Sequence, residues 1–252
     1  MSFVYRLNAF AARRVTVKPA QLRPERAIAS FTFDDFPMSA WEAGAPVLEA
    51  VGARGVYYAS ASYCGRRVDG TRYYERETLA AVHAAGHEVG CHSYSHEPAP
   101  AVDSDALRQD LARNAVFLED AVGEPLGPLS YAHPYGLVCP RTKRLTGELY
   151  PSCRGIHPGL NGERTDLSQL KAIPLERRSW RAEAVERWVA AAARARAWLV
   201  FFTHDVCADP SPYGCTAAML QHAVQTAVAA GLDILPVRDA LARATAAEPA
   251  SP

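Results

Sequence analysis

The chain has 252 residues with 27 basic and 27 acidic side chains, so its formal charge is zero. That length suits one α/β domain with a substantial core, and the even charge argues against a nucleic-acid partner and against an acidic tail. The mildly apolar residues 1–10 are broken by Arg6 and Asn8. Neither a secretion signal nor a membrane-spanning helix is read, and a cytoplasmic protein is expected. Cys64, Cys91, Cys139, Cys153, Cys207 and Cys215 lack the close spacing of a cysteine-rich zinc site. Reduced thiols are expected, with Cys207 and Cys215 the pair to bridge were the protein exported.

Residues 1–27, with Pro19 and Pro24, read as an irregular lead-in. An apolar strand at 27–33 then runs into Asp34 and Asp35. Ser39 is placed to cap a helix over 39–51, with Glu42 in its first turn. A strand at 55–59, a loop at 61–74 and a helix at 75–85, stopped by Gly86, come next. A strand at 87–92 delivers the stretch His92-Ser93-Tyr94-Ser95-His96, and Pro98 and Pro100 delay the following helix. That helix is predicted over 104–122, with Leu107, Leu111, Ala115, Leu118 and Val122 on one face. A strand at 128–132 precedes His133, Pro134, Tyr135 and Gly136; a helix at 141–149 and a short strand at 152–156 follow. After a glycine-rich loop at 159–162 come a strand at 170–175, an alanine-rich helix at 181–197 and a strand at 198–203 that carries His204. A helix at 216–230 and a strand at 233–237 complete the series, and residues 241–252 read as a frayed tail.

Strands alternate with helices throughout, which favours a single α/β domain over residues 28–240 with a parallel sheet or barrel. The noteworthy polar residues all sit where a strand ends, and the C-terminal edge of the strands is where such folds build their sites. Two histidines four apart can reach one metal ion, and imidazole is a common zinc ligand. Asp34 and Asp35 have a bland reading as a cap and turn before the helix, but adjacent carboxylates repel, and a nearby cation accounts for them better.

These residues resemble the polysaccharide deacetylase (NodB-homology) family of metal-dependent carbohydrate esterases. The resemblance runs over about residues 28–238. Thr32-Phe33-Asp34-Asp35 is similar to the family's first motif, His92-Ser93-Tyr94-Ser95-His96 to its second, Pro134-Tyr135-Gly136 to the end of its third, and Phe202-Thr203-His204 to its fifth. Asp166 is a weaker match to the fourth. The fold implied is a distorted (β/α) barrel. The resemblance makes Asp35, His92 and His96 ligands of a divalent metal, zinc first, with cobalt, nickel and iron as alternatives.

By the same resemblance Asp34 is the general base and His204 the general acid, a role suited to imidazole because it titrates near neutrality. Asp166 would hold His204 in the right tautomer. The backbone N–H of Tyr135 would stabilise the oxyanion. Phe202 would meet the acetyl methyl group, and Pro134 and Tyr135 would line the substrate site. Otherwise Phe202 and Asp166 are ordinary core and loop residues.

The family's arginine two before the motif-three proline is replaced by Ala132, and Arg154, at another strand end, is the candidate to supply that charge. His83, His87, His133, His157 and His222 are taken as structural or surface residues, with His133 the one beside the expected site. The activity implied is removal of N-acetyl groups from N-acetylhexosamine units of a glycan, in exopolysaccharide or holdfast-type adhesin assembly. The alternatives are deacylation of a small acetylated sugar or another amide, and a non-catalytic relative that binds carbohydrate. The sequence does not specify an oligomeric state.

Overall fold

The structure is a computed structural model that describes residues 3–245. Its elements are α1 (Phe3–Arg14), β1 (Pro19–Ala20), β2 (Ile28–Phe33), α2 (Ala45–Glu49, continuing a wider helical turn at Ala40–Gly44), β3 (Val56–Ala59), β4 (Arg67–Val68), β5 (Thr71–Arg72), α3 (Arg76–Ala84), β6 (Glu88–Cys91) and α4 (Ser104–Val122). They continue as β7 (Tyr131–Ala132), α5 (Pro140–Leu149), β8 (Cys153–Arg154), β9 (Thr165–Asp166), β10 (Ile173–Pro174), α6 (Ala182–Ala195), β11 (Trp198–Thr203), α7 (Ala217–Ala229), β12 (Asp233–Ile234) and α8 (Val237–Thr245).

Eight of these strands form one sheet in the order β10-β11-β2-β3-β6-β7-β8, with β12 also pairing β2. Every pairing in it is parallel. The two ends of the sheet are joined where Arg154 bridges Leu170 and the Gly155 N–H donates to the Leu170 carbonyl (2.9 Å). This is the distorted (β/α) barrel that the alternation of elements and the family resemblance lead one to expect.

Alternation along the strands sorts side chains into an inner and an outer layer. Along β2 and β11, Ile28, Trp198, Val200 and Phe202 join an inner cluster with Tyr58, Ala132 and Leu170. Phe31, Phe33, Leu199 and Phe201 join the outer cluster beneath the helices. Helix α4 shows why the outer layer forms: Asp103 accepts from the Ala106 N–H (2.8 Å), Leu107, Leu111 and Leu118 bury one face, and Gly123 ends the helix at φ 89°. Glycine takes that left-handed angle without strain.

The structure departs from expectation at both ends of the chain, at Ser39, and at residues 61–74, where β4 and β5 pair antiparallel within the expected loop. The lead-in is not irregular, since residues 3–14 are helical and β1 pairs antiparallel with β9. Lys143 holds the end of that helix by donating to the carbonyls of Ala12 and Val15, both at 2.7 Å. Ser39 makes no cap bond; its hydroxyl accepts from the Val206 N–H (3.2 Å) and ties the loop after β2 to the loop after β11. Helix α8 runs to Thr245 across the expected start of the tail, whose residues 246–252 lie outside the described residues. All six cysteines are free thiols.

Candidate metal centre and active site

The loops leaving β2, β6, β7 and β11 meet at one end of the barrel. Asp34, last in line with β2, points inward; Asp35 follows at φ 61°. That left-handed backbone turns the second carboxylate away from the first, so that adjacent residues serve two different partners. Ser93 (φ 65°), His96 (φ 57°) and Tyr135 (φ 57°) share this conformation on the neighbouring loops. Non-glycine residues rarely adopt it, at a cost of about 1–3 kcal/mol each, and such strain gathers at functional sites.

Asp35 Oδ1 lies 2.9 Å from His96 Nε2 and 3.2 Å from His92 Nε2. One ligand atom from each of the three residues falls within 4.8 Å of the others. His92 and His96 are buried. Burial alone would raise the Asp35 carboxyl, but the contacts of His92 and His96 hold it well below the usual carboxylate range. The imidazoles are oriented from behind. His92 Nδ1 donates to the Ala132 carbonyl (2.8 Å), and His96 Nδ1 meets the Tyr63 hydroxyl (3.1 Å).

When the His92 ring is neutral, with its proton on Nδ1, its Nε2 is a lone pair and an added cation must take over the charge that otherwise holds Asp35 ionised. That lone pair faces a carboxylate oxygen that makes no hydrogen bond among the described residues in spite of its close neighbours. Acceptors crowded on acceptors in a buried place call for a cation. Two imidazoles and one carboxylate are a donor set that zinc and similar ions take, leaving coordination positions open. The residues present therefore fit a divalent metal.

Asp34 is buried and receives Arg154 Nη2 at 2.5 and 2.6 Å on its two oxygens. Arg154 is the register partner of Ala132 across the β7–β8 pairing. The charge absent from one strand is thus delivered at the same level from the next. Its guanidinium lies 5.0 Å from the Phe202 ring centre and 5.4 Å from that of Tyr58.

Phe202 is consequently a wall of the barrel interior that seats Arg154, buried rather than open to an acetyl group. His204 is half-buried at the mouth, with Nε2 3.9 Å from Asp35 Oδ2. Its Nδ1 lies 3.3 Å from the Tyr213 carbonyl. Tyr135 is exposed, its ring 4.6 Å from that of His96, and its N–H has no backbone acceptor among the described residues, as expected in the first residues of a helical turn. Pro134 is buried beneath it.

Asp166 is not part of this site. Its carboxylate accepts from the Val17, Lys18 and Ser168 N–H groups at 2.8, 2.9 and 3.0 Å and pairs with Lys143 at 2.9 Å. His204 takes its orientation from Tyr213 instead. His133 is buried and kept neutral: burial first, then the field of the Arg154 guanidinium, push its pKa down to about 3. Sequence reasoning missed Tyr63 and Tyr213. Tyr63 closes a single helical turn and Tyr213 lies in a loop, so no periodicity marks either, and only the folded chain shows what each contacts.

A largely buried trio that could hold a metal, an arginine-held carboxylate and an open-faced histidine, set in the mouth of an α/β barrel, are the parts that hydrolases built around a divalent ion use. The polysaccharide deacetylase family model matches residues 22–149. The chain belongs to the polysaccharide deacetylase family, whose enzymes use a divalent metal; Arg154 and His204 lie beyond the matched segment. No curated protein matches the sequence.

Among solved structures, a putative polysaccharide deacetylase from Mycobacterium smegmatis is 19% identical over 94% of this chain and 99% of its own, with a TM-score of 0.61. A family 4 acetyl xylan esterase from Clostridium thermocellum, in complex with a cobalt ion, is 18% identical over 85% and 90%, with a TM-score of 0.59. A family 4 pseudoenzyme from Bacillus anthracis is 12% identical over 91% and 70%, also at 0.59. At these identities the likeness is one of fold.

Proposed function

We propose that this protein is a metal-dependent N-deacetylase acting on N-acetylhexosamine units of a glycan. The observation that carries the reading is Asp35 Oδ1, an ionised oxygen without a hydrogen bond, faced by two imidazole nitrogens and flanked by the Asp34–Arg154 pair. Asp35, His92 and His96 would hold the ion, with zinc the first choice from the donor set. When bound, the ion polarises the acetyl carbonyl and the attacking water.

The residues of the chain divide the remaining work. Asp34, fixed on both oxygens by Arg154, takes a proton from the water as its oxygen attacks the acetyl carbon. The Tyr135 N–H donates to the oxygen on which negative charge develops; such a donor typically supplies ~2.7–4 kcal/mol. His204, with Nδ1 held by the Tyr213 carbonyl, gives the proton on Nε2 to the departing nitrogen. The C–N bond breaks, leaving acetate and a free amine. A role in exopolysaccharide or adhesin assembly, in the cytoplasm, belongs to the same proposal and rests on the sequence.

The fold also serves a pseudoenzyme. Against a purely carbohydrate-binding role stands the meeting of Asp34, Asp35, His92, His96 and His204 at one barrel mouth. The test is acetate release from N-acetylglucosamine oligomers by metal-loaded protein, chelated protein with zinc restored, and His92→Ala. Release that chelation abolishes, zinc restores and the variant lacks is the expected result. No release and no stoichiometric metal would overturn the reading.

A further inference from the structure

A second cavity lies on the outside of the barrel, on the seam between its two ends. His157 lies three residues beyond Arg154, in the segment that follows β8, beside the end of α1. There Arg13 Nη1 approaches its Nδ1 at 3.5 Å. The cavity holds about 740 Å³ between the segment after α1 and the loop at 157–171. That is the size of a site for a small organic ligand, not only for a lone ion.

Its charge is uneven. Both acidic residues in its lining already have partners: Asp166 pairs with Lys143 at 2.9 Å and Glu163 with Arg23 at 3.4 Å. Arg13, Arg164 and Lys171 also line it, and none makes an ion pair among the described residues. The pKa of His157 is lowered first by burial and then by the fields of Arg13 and Lys171, so both cations bear on the cavity. In a chain of zero net charge, a concave surface with three unpaired cations is a local excess.

The framework is also built. Buried Asn161 clamps the Lys171 backbone in both directions, accepting from its N–H (2.9 Å) and donating to its carbonyl (3.0 Å). The Lys171 stem lies across Gly159, where a Cβ would stand 2.5 Å from its Cδ. The opposite wall is fastened by Lys143 to the end of α1 and by Asp166 to Val17 and Lys18. Both walls are therefore positioned before any ligand arrives, which lowers the ordering cost of binding.

We propose that this seam cavity is an anion site, separate from the barrel mouth, that takes the phosphate or carboxylate group of a sugar-sized ligand between Arg13, Arg164 and Lys171. Arginine supplies the planar fork that such groups accept, and lysine a point charge. An anion seated there would also neutralise the field on His157.

Calorimetry on the full, metal-loaded chain with inorganic phosphate, glucuronic acid and a neutral N-acetylglucosamine oligomer tests this, with NMR of the His157 ring as a local reporter. Saturable, salt-sensitive binding of an anionic probe is expected, with a raised His157 pKa, and weakened roughly tenfold or more in Arg13→Gln/Lys171→Gln. Arg164→Gln serves as a milder variant should the double one fold poorly. Tighter binding of glucuronic acid would identify a sugar-borne group; tighter binding of phosphate would identify the free ion as sufficient. Acetate release from neutral oligomers should be the same in wild type and variants. Absence of saturable anion binding, or binding that the variants and the His157 ring do not register, would overturn the proposal.

Discussion

Asp35 and Asp166 are both carboxylates facing cationic or potentially cationic side chains, and their surroundings differ in one respect. Asp166 has a donor for every direction it can accept from: three backbone N–H groups and the Lys143 ammonium. Asp35 Oδ1 has none, although two imidazole nitrogens stand within 3.2 Å. A saturated acid is finished, and its role is to hold chain segments together. An acid left short in a buried place is waiting for something else. The difference separates structure from chemistry more sharply than burial or charge does.

The largest expected effect breaks the Asp35 side of the comparison. Asp35→Asn replaces the ionised ligand with a neutral amide, and stoichiometric zinc binding, read by metal analysis after dialysis, should be lost with acetate release. The fold should survive, because no hydrogen bond depends on Oδ1. Asp166→Asn should leave metal content and turnover at wild-type levels. Loss of turnover in Asp166→Asn with metal intact would return Asp166 to the catalytic role its sequence position suggested.

Next in size is Arg154→Ala, which leaves Asp34 buried and unpaired. Removing one partner of a buried pair typically costs ~3–5 kcal/mol, so both thermal stability and acetate release should fall well below wild type. The sharper form is Ala132→Arg/Arg154→Ala, which moves the charge to the register partner on β7. Recovery of part of the lost stability and turnover is expected, because Ala132 faces the same interior. If Arg154→Ala alone leaves turnover unchanged, the pairing has no part in the reaction.

The strand ends were readable because an apolar run that stops at a polar residue is a local signal. Helix α4 is found at its predicted bounds because its apolar period is a local signal, and Asp103 and Gly123 cap and stop it at the two ends. His92 and His96 were readable because their spacing lets two rings reach one point. Arg154 was readable only as a cation at a strand end; that it faces Asp34 depends on the register of β7 with β8, which no local pattern encodes. Asp166 misled because a carboxylate in so short a strand carries no mark of its partners, and these came from residues 17, 18 and 143. Phe202 was legible in hindsight: it alternates with Phe201 and faces inward with Val200 and Trp198. Helix α1 falls in the stretch read as an irregular lead-in, and it is tied to the body at its C-terminal end by the tertiary contacts of Lys143.

The anchoring role of Asp166 has its own signature. Lost hydrogen bonds to a charged group cost about 1–3 kcal/mol, so Asp166→Asn should lower the melting temperature by several degrees at neutral pH. Burial would raise the Asp166 carboxyl, but Lys143 and the backbone N–H groups of Val17, Lys18 and Ser168 hold it below its ordinary value. A depressed carboxylate stabilises the fold above its unfolded pKa, near ~3.9, and ceases to do so as pH falls through the folded value. The gap between wild type and variant should therefore be full at pH 7 and close in acid below about pH 4. A gap that persists unchanged into strong acid would show that the anchor is not the ionised carboxylate.

Tyr63→Phe gives the smallest effect and refines the comparison from the ligand side. The hydroxyl meets His96 Nδ1 at 3.1 Å while Nε2 faces Asp35. With its Nε2 lone pair turned to an ion, the ring carries its proton on Nδ1 and donates to the tyrosine oxygen. Removing that acceptor leaves the ring free to rotate and lowers its basicity; losses of ~10–100-fold in metal affinity follow from such changes. The variant keeps its ring, so the 4.4 Å stack on Tyr73 should hold the loop in place and spare the fold. Competition for zinc with a chelator of known affinity measures the change. Turnover at saturating zinc should stay near wild type, since Tyr63 would act by orienting His96 and not on the substrate. A fall in turnover at full metal occupancy, with affinity unchanged, would instead make the hydroxyl a direct partner of the substrate.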